Sequence, residues 1–152
     1  MTLSNLLLSI LSAFTPKERP DSDLQKRIKK HEGCRLVPYK DTLGNLTVGW
    51  GRNLNVPFTQ AEVDFMFLTD FDRATRAAES FPEYKNLSAA RKGVIIELCY
   101  QLGKDGASKF VKFWRAVKEE DWESAYKELI DSKLHEQTPE RCEELANIFR
   151  GK

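Results

Sequence analysis

Hydrophobic and polar residues follow two different periods in this chain, and the period changes soon after residue 32. Between Ser22 and Gly33 apolar residues recur at helical spacing, and S-x-x-Q at its start is a capping box. From Val37 to Trp50 apolar and polar residues alternate around turn residues 41–45, as they do in a β-hairpin. We therefore predict a helix that carries Glu32 in its last turn and runs directly into a hairpin.

Beyond the hairpin the pattern is helical to the end of the chain. T-x-x-E at Thr59 opens a long helix toward Ser80, and a nearly all-apolar stretch, residues 94–102, predicts a buried central helix. Phe110, Phe113, Trp114 and Val117 mark another helix. Asp121 and Thr138 are predicted caps of two further helices, the second with proline at its first position.

These elements predict an α+β fold with a small β-hairpin lobe and a larger all-helical lobe. The small lobe would be residues 21–58, the connecting helix 59–80 and the helical lobe 81–152, with a cleft between the lobes. A length of 152 residues suits one ordinary domain. We expect that domain to be a monomer.

Residues 1–20 form a separate N-terminal segment. It starts with an amphipathic helical stripe, and two prolines within the segment follow that stripe. Its apolar stretch is shorter than a membrane span needs, and no basic residue precedes it as in a cleavable signal peptide. Packing against the domain is one interpretation. Contact with a membrane surface, a virion or another protein is the other.

Composition argues against several classes of function. The formal charge of +1, from 24 basic and 23 acidic residues, gives no general attraction to nucleic acid, so no nucleic-acid partner is expected. The three cysteines lack CxxC spacing and are interpreted as small apolar fillers. The two histidines are far apart, and "GWG" lacks the third glycine of a dinucleotide loop, so we expect neither a metal nor a cofactor.

Three residues around the hairpin could carry chemistry. Glu32 stands at a helix C-terminus, whose negative dipole end disfavours the ionised carboxylate. Asp41 stands in a polar turn whose N–H groups favour the ionised form, and Thr47 returns on the second strand. Two carboxylates in unlike surroundings suit glycosidic-bond cleavage. The spacing alone is equally typical of solvated residues at a helix end and in a turn.

The order of these three residues along the chain favours the catalytic interpretation over the solvated one. E-x8-D-x5-T, with "GCRLVPYKDT" between and "TVGWG" after, resembles the T-even phage lysozyme (endolysin) family, glycoside hydrolase family 24. "YQLGKDGASKF", residues 100–110, and the stretch 122–152 match the central and C-terminal helices of that family in order and spacing. The resemblance covers residues 22–152 and implies a lysozyme-like fold.

The same resemblance implies a reaction. Its members hydrolyse the β-1,4 bond between N-acetylmuramic acid and N-acetylglucosamine in bacterial peptidoglycan. By position, Glu32 would be the general acid, while Asp41 and Thr47 would hold the attacking water, with inversion at the anomeric carbon. A lytic transglycosylase stays open, as does a non-catalytic wall-binding or virion structural module. Thr47 favours hydrolysis, because a water-holding hydroxyl has no obvious purpose otherwise.

Five further residues match positions of the family's cleft. Arg141 would pair with the catalytic glutamate, and its charge would favour the ionised form of that acid. Gln101 and Tyr39 would contact N-acetyl sugars or support the acid. Gln137 and Thr138 match the cleft edge, although we interpret Thr138 first as a helix cap.

The sequence also departs from the family. Arg52 stands where a histidine is common, and we predict that it pairs with Asp70 on the connecting helix. The stretch 52–59 is shortened, which puts the rim of the cleft in doubt, and Leu134 replaces a tryptophan. By the resemblance, the protein is made in a host bacterial cytoplasm and acts on periplasmic peptidoglycan, in host lysis or in wall penetration from a virion.

Overall fold

The computed structural model of this chain describes residues 22–151. It forms two compact units, and the division falls between Met66 and Phe67, inside the predicted connecting helix. The predicted N-terminal segment, residues 1–20, lies outside the described residues, so its contacts stay predictions. Within residues 22–151, no helix is long and apolar enough to cross a membrane.

The first unit joins a helix to a small antiparallel sheet. Helix α1 is Ser22–Glu32, and the sheet has the order β1 (Arg35–Lys40), β2 (Leu46–Gly49) and β3 (Arg52–Asn53). Thr47 on β2 lies opposite Tyr39 on β1 and Asn53 on β3. The predicted helix and hairpin are confirmed, and the short third strand was not predicted.

Local chemistry explains where these elements end and bend. Gly33 has φ +65°, and its N–H donates to the carbonyl of Lys29 at 3.1 Å, which ends α1. The pairing of β1 with β2 is irregular between Arg35 and Tyr39. Pro38 lies in that stretch and has no N–H to donate, and proline in a sheet is typical of an edge strand such as β1.

Helix α2, Gln60–Glu79, begins at the predicted capping box. The backbone N–H of Thr59 donates to Glu62 Oε2 at 2.7 Å, and the N–H of Glu62 donates to Thr59 Oγ1 at 3.3 Å. Each side chain therefore accepts from the backbone N–H of the other residue at the start of the helix, as in a capping box.

The second unit is helical and has one buried core. After the end of α2 and a 3₁₀ turn at Tyr84–Asn86 come five helices: α3 (Ala89–Ser108), α4 (Val111–Lys118), α5 (Trp122–Ile130), α6 (Lys133–Gln137) and α7 (Pro139–Arg150). Its largest fully buried side chains include Ile95, Leu98, Phe113, Leu129 and Phe149. A small sheet and a mostly helical remainder confirm the predicted α+β class.

Two helix predictions in this unit need refinement. The buried central helix is confirmed in α3, but Gly103 at φ 67° and ψ 172° interrupts it with a kink. Asp121 caps α5 as predicted, accepting from the N–H of Ser124 at 3.0 Å.

The prediction of Thr138 as a cap residue is confirmed, since it takes the N-cap position of α7. Pro139 takes the first position of α7, but the Thr138 hydroxyl makes no cap bond to that helix. It donates to the carbonyl of Leu134 at 3.1 Å, so it closes the end of α6. The turn between the two helices is so short that the hydroxyl reaches back to the preceding one.

The cysteines do not share one environment. Cys99 and Cys142 are buried, as expected of small apolar fillers, whereas Cys34 is exposed. The filler interpretation is therefore wrong for Cys34, which follows directly after the glycine that ends α1. Leu134 is buried in the second unit.

Candidate active site

The side chain of Glu32 is exposed at the last position of α1. Its carboxylate lies against Gly51, in the tight turn between β2 and β3. A Cβ built on Gly51 would be 3.1 Å from Glu32 Oε2 and 3.9 Å from Cδ, and Gly51 has φ +82°. An L-residue is disfavoured at that φ and would crowd the carboxylate. Glycine at position 51 therefore leaves room for the acid.

Two cation–π contacts lie in the same unit as this acid. The Lys29 ammonium lies 5.4 Å from the centre of the Trp50 ring, so it links α1 to the same turn. The Arg35 guanidinium lies 4.5 Å from the centre of the Tyr39 ring. Tyr39, a predicted site residue, is half-buried on β1 beside Arg35.

Asp41 is held in its own turn by neutral donors. Its Oδ1 accepts from the N–H of Leu43 at 2.9 Å and from the N–H of Asn45 at 2.8 Å. These bonds, led by the one from Asn45, hold the pKa of Asp41 below its ordinary value. These bonds favour the ionised carboxylate, and the catalytic role of Asp41 stays a prediction.

Thr47 is buried, with 3% of its surface exposed, on the central strand β2. Its hydroxyl donates to the carbonyl of Asn45 at 3.2 Å. Because a hydroxyl has one hydrogen and two lone pairs, the oxygen of Thr47 can still accept a hydrogen bond. One hairpin thus carries both a carboxylate whose ionised form is favoured and a hydroxyl that can accept a hydrogen bond.

Asn45 connects these two residues, and sequence reasoning missed it. Its side-chain Nδ2 donates to Asp41 Oδ2 at 3.2 Å, while its carbonyl accepts from both the N–H of Asp41 and the Thr47 hydroxyl. In the sequence Asn45 was interpreted only as a turn residue. The signal that could have found it is the D-x3-N spacing, since Asx side chains bond groups within their own turn.

Arg141 and Gln101, both predicted cleft residues, are together in the second unit. With its amide oxygen facing the guanidinium, Gln101 accepts from Arg141 Nη2 at 2.9 Å and from Nε at 2.5 Å. Glu97, which the sequence did not single out, lies 3.4 Å from Arg141 Nη2. The predicted pair of Arg141 with Glu32 stays a prediction.

Thr138 and Arg141 border an open pocket of about 290 Å³ on the surface of the second unit, with Pro139 and Glu140 between them. Gln137 is exposed at the end of α6, directly before Thr138. These positions allow both residues to reach a ligand, and their contact with a sugar stays a prediction.

Arg52 has a partner that the sequence did not suggest. Its Nη1 lies 3.1 Å from Glu62 Oε1, and its guanidinium lies 4.8 Å from the centre of the Phe58 ring. Asp70, the predicted partner, is 2.9 Å from Arg73. The Arg52–Asp70 pair stays a prediction. The observed contacts of Arg52 connect the shortened stretch 52–59 to the start of α2.

Within residues 22–151 no group of three or more histidine, cysteine, aspartate or glutamate side chains could hold a metal ion. His135, one of the two histidines, lies 3.0 Å from Glu143. The expectation of no metal and no cofactor stays a prediction. What the described residues offer is acid–base chemistry: one exposed carboxyl at a helix end, and one carboxylate that shares its bonding partner Asn45 with a buried hydroxyl.

Comparisons with known proteins agree with this chemistry. Residues 29–145 match the family described as Phage lysozyme. Two proteins of Dictyostelium discoideum, Probable T4-type lysozyme 1 and 2, are 30% and 27% identical over 159 aligned residues, which cover 84% of this chain and 94% of each relative. The Pre-baseplate central spike protein Gp5 of Enterobacteria phage T4 is 24% identical over 91% of this chain and 29% of its own length. The family match includes Glu32, Asp41 and Thr47.

Proposed function

Because the chain belongs to the Phage lysozyme family and is therefore a glycoside hydrolase of the lysozyme type, we propose which bond it cleaves and how. The substrate is bacterial peptidoglycan, and the bond is the β-1,4 linkage between N-acetylmuramic acid and N-acetylglucosamine. The single observation that carries the proposal is Asn45, which bonds both the Asp41 carboxylate, whose pKa is lowered, and the buried Thr47 hydroxyl, whose oxygen can accept a hydrogen bond.

In the proposed reaction Glu32 is the general acid. It gives its proton to the glycosidic oxygen as the bond from that oxygen to the anomeric carbon breaks. Support for this role comes from its exposed carboxyl at the C-terminal end of α1. The space left by Gly51 supports it too, since it lets the carboxyl take a defined position against the turn.

Asp41 and Thr47 hold the water that attacks the anomeric carbon. Asp41 Oδ2 accepts from Asn45 Nδ2, and since a carboxylate oxygen has two acceptor directions, it takes a second hydrogen from the water. Thr47 Oγ1 accepts the other hydrogen, and a water lone pair then faces the sugar. As the new C–O bond forms, the water passes a proton to Asp41. Attack from the face opposite the leaving group gives inversion.

The remaining predicted residues act on substrate in this proposal. Tyr39 and Gln101 bond the N-acetyl sugars, and Gln137 and Thr138 contact the chain at the edge of the site. Arg141 orients the acid through its charge. The bond between Gln101 and Arg141 supports treating these two as one group.

The second candidate reaction is lytic transglycosylation, in which a hydroxyl of the substrate replaces water. The buried Thr47 hydroxyl favours hydrolysis, because its free acceptor site suits a water molecule next to Asp41. A non-catalytic wall-binding or virion module would not need to hold a water molecule, so it would require neither the Thr47 hydroxyl nor an ionised carboxylate at position 41.

For the biological setting we propose host lysis or opening of the wall by a phage particle. The similarity to a central spike protein supports the second setting, in which a phage particle opens the wall. In either setting the protein, a monomer, is made in the host cytoplasm and acts in the periplasm. Residues 1–20 would contact a membrane or the virion. Removing residues 1–20 tests this: we expect lysis of permeabilised cells to persist while particle or membrane association disappears.

The assay for the activity is loss of turbidity of permeabilised Gram-negative cells. Glu32→Gln should lower the rate by about a hundredfold or more, since positioned acid catalysis contributes at least that much. Glu144→Gln, an exposed glutamate on α7, is the matched control and should keep the wild-type rate. Equal rates for Glu32→Gln and wild type would rule out the assigned acid.

The products of digestion separate the two reactions. Hydrolysis leaves reducing ends on the glycan, whereas transglycosylation leaves 1,6-anhydro ends. We expect reducing ends, with the anomeric configuration inverted in the first product formed. Anhydro ends would overturn the hydrolytic role of Asp41 and Thr47 and leave Glu32 as the acid of a different reaction.

A further inference from the structure

The side-chain amide of Asn45 has a contact that its backbone does not explain. Three of the bonds at this residue use its main chain: its N–H donates to Asp41 Oδ1, and its carbonyl accepts from the Asp41 N–H and the Thr47 hydroxyl. Any residue other than proline could make them in this turn conformation. The fourth, from Nδ2 to Asp41 Oδ2 at 3.2 Å, requires the amide.

That fourth bond determines how the carboxylate is oriented. Both backbone N–H donors reach Oδ1, so they anchor one oxygen and leave Oδ2. An amide donor on Oδ2 restrains rotation of the carboxylate about the Cβ–Cγ bond. It also occupies one of the two acceptor directions of that oxygen. One direction on Oδ2 is then left for another donor.

Resting on the proposed hydrolysis, we propose that Asn45 is a positioning residue for the attacking water. Its amide fixes Asp41 Oδ2 so that the free acceptor direction faces the water, and its carbonyl fixes the Thr47 hydroxyl so that the oxygen accepts from the same water. One residue thereby orients both groups that hold the nucleophile. Asn45 itself touches neither the sugar nor the reacting atoms.

A purely structural role for Asn45 makes different predictions. If the amide only stabilised the turn, its loss would lower the melting temperature and leave the pH profile of kcat unchanged. The donors that the structure gives Asp41 all lie in its own turn, at residues 43 to 45, and in residues 22–151 none of these donors is a charged side chain. A new charge at position 45 should therefore be felt directly by Asp41.

The first experiment compares Asn45→Ala and Asn45→Asp with wild type, as kcat and KM against pH on soluble peptidoglycan fragments. Asn45→Ala removes the amide bond and should lower kcat about three- to tenfold with little change in KM, since one hydrogen bond to a charged group is lost. Asn45→Asp keeps the size and a residue suited to the turn, and should move the acidic limb of kcat upward by about one pH unit or more.

Leu43→Ala is the matched control in the same turn. The Leu43 side chain is 85% exposed, and this residue contributes to Asp41 only through its backbone N–H, which alanine keeps. We expect wild-type kcat, KM and pH profile. Circular dichroism and melting temperatures on all three variants establish that each one folds.

The second measurement follows the Asp41 side-chain carbon by NMR during a pH titration, which needs no catalysis. Asn45→Asp should raise the midpoint of Asp41, and Leu43→Ala should not. An Asp41 midpoint and an acidic limb of kcat that both stay at wild-type values in Asn45→Asp would overturn the inference. Failure of the proposed function looks different: Asp41→Asn would then keep full activity.

Discussion

The carboxylate of Glu32 and the α-carbon of Gly51 are so close that a Cβ at position 51 would lie 3.1 Å from Glu32 Oε2. This contact joins the end of α1 to the turn between β2 and β3. The position of the proposed acid therefore depends on the turn between β2 and β3 as well as on α1.

Gly51→Ala should lower kcat about tenfold by displacing the Glu32 carboxylate, since a small misplacement of a catalytic group is costly. It should also destabilise the protein by about 1–2 kcal/mol, because its φ of +82° is unfavourable for an L-residue. Gly49→Ala is the matched control: its φ is +65°, but a Cβ there meets nothing within 4 Å. Both variants should melt earlier, and only Gly51→Ala should lose activity. Similar kcat values for the two would contradict the role of this contact.

The Asp41 turn should make the protein less stable in acid. The folded pKa of Asp41 lies below its ordinary value of 3.8, mainly because the N–H of Asn45 bonds the ionised form. A carboxylate with a lowered folded pKa contributes stability that is present above the unfolded pKa and is lost as pH falls through the folded one. Denaturant unfolding between pH 2 and 7 should show this loss in wild type.

Asp41→Asn removes the titrating group and should give a flatter dependence on pH in that range. Leu43→Ala keeps the carboxylate and its N–H donors, so it should retain the wild-type slope. If Asp41→Asn and wild type lose stability in parallel below pH 4, the turn bonds do not favour the ionised form.

Features set by neighbouring residues could be predicted from the sequence. The Thr59–Glu62 capping box, the Asp121 cap and the hairpin each depend on side chains a few positions apart, and each is present. The bonds that favour the ionised form of Asp41 belong to the same class, because their donors lie within its own turn. Thr138 takes its predicted cap position, but its hydroxyl bonds the preceding helix.

Features set by the approach of distant segments could not be predicted. The contact of Gly51 with Glu32 depends on how α1 lies on the sheet, and the pairing of Arg141 with Glu97 joins two helices far apart in sequence. The exposure of Cys34 follows from the direction in which the chain leaves α1. Residue patterns record what each segment buries, but they do not record which partner it meets.

The three cysteines should differ in reactivity toward a thiol reagent. Cys34 is exposed. Burial raises the pKa of Cys99 to about 11, and burial also raises the pKa of Cys142, whose Sγ lies 3.3 Å from the carbonyl of Leu129. In native protein at pH 8 we expect one thiol to react rapidly, and in denaturant all three.

Cys34→Ser supplies the control for this experiment, because it removes the exposed thiol and leaves both buried ones. Its native form should show no rapid reaction. A rapid phase that persists in Cys34→Ser would mean that Cys99 or Cys142 is reached without global unfolding.

The partner of Arg52 can be identified by two double-mutant cycles. One combines Arg52→Ala with Glu62→Gln, in which glutamine keeps an oxygen for the Thr59 N–H and so preserves the capping box. The other combines Arg52→Ala with Asp70→Asn. From the 3.1 Å contact we expect coupling with Glu62 in the free energy of unfolding, and the second cycle tests the pair predicted from the sequence. Coupling with Asp70 alone would support the pair predicted from the sequence.

The pH dependence of the coupling separates this contact from one made by histidine. Arginine keeps its charge across the working range, so the effect of Arg52→Ala should be flat from neutral to mildly alkaline pH. The folded pKa of Glu62 is lowered from its ordinary value of 4.5, first by its bonds with Thr59 and to a smaller extent by the charge of Arg52. The coupling should therefore be complete above pH 4.5 and disappear as pH falls through the folded pKa of Glu62. A steep change between pH 7 and 9 would show that another titrating group, and not Glu62, is the main partner of Arg52.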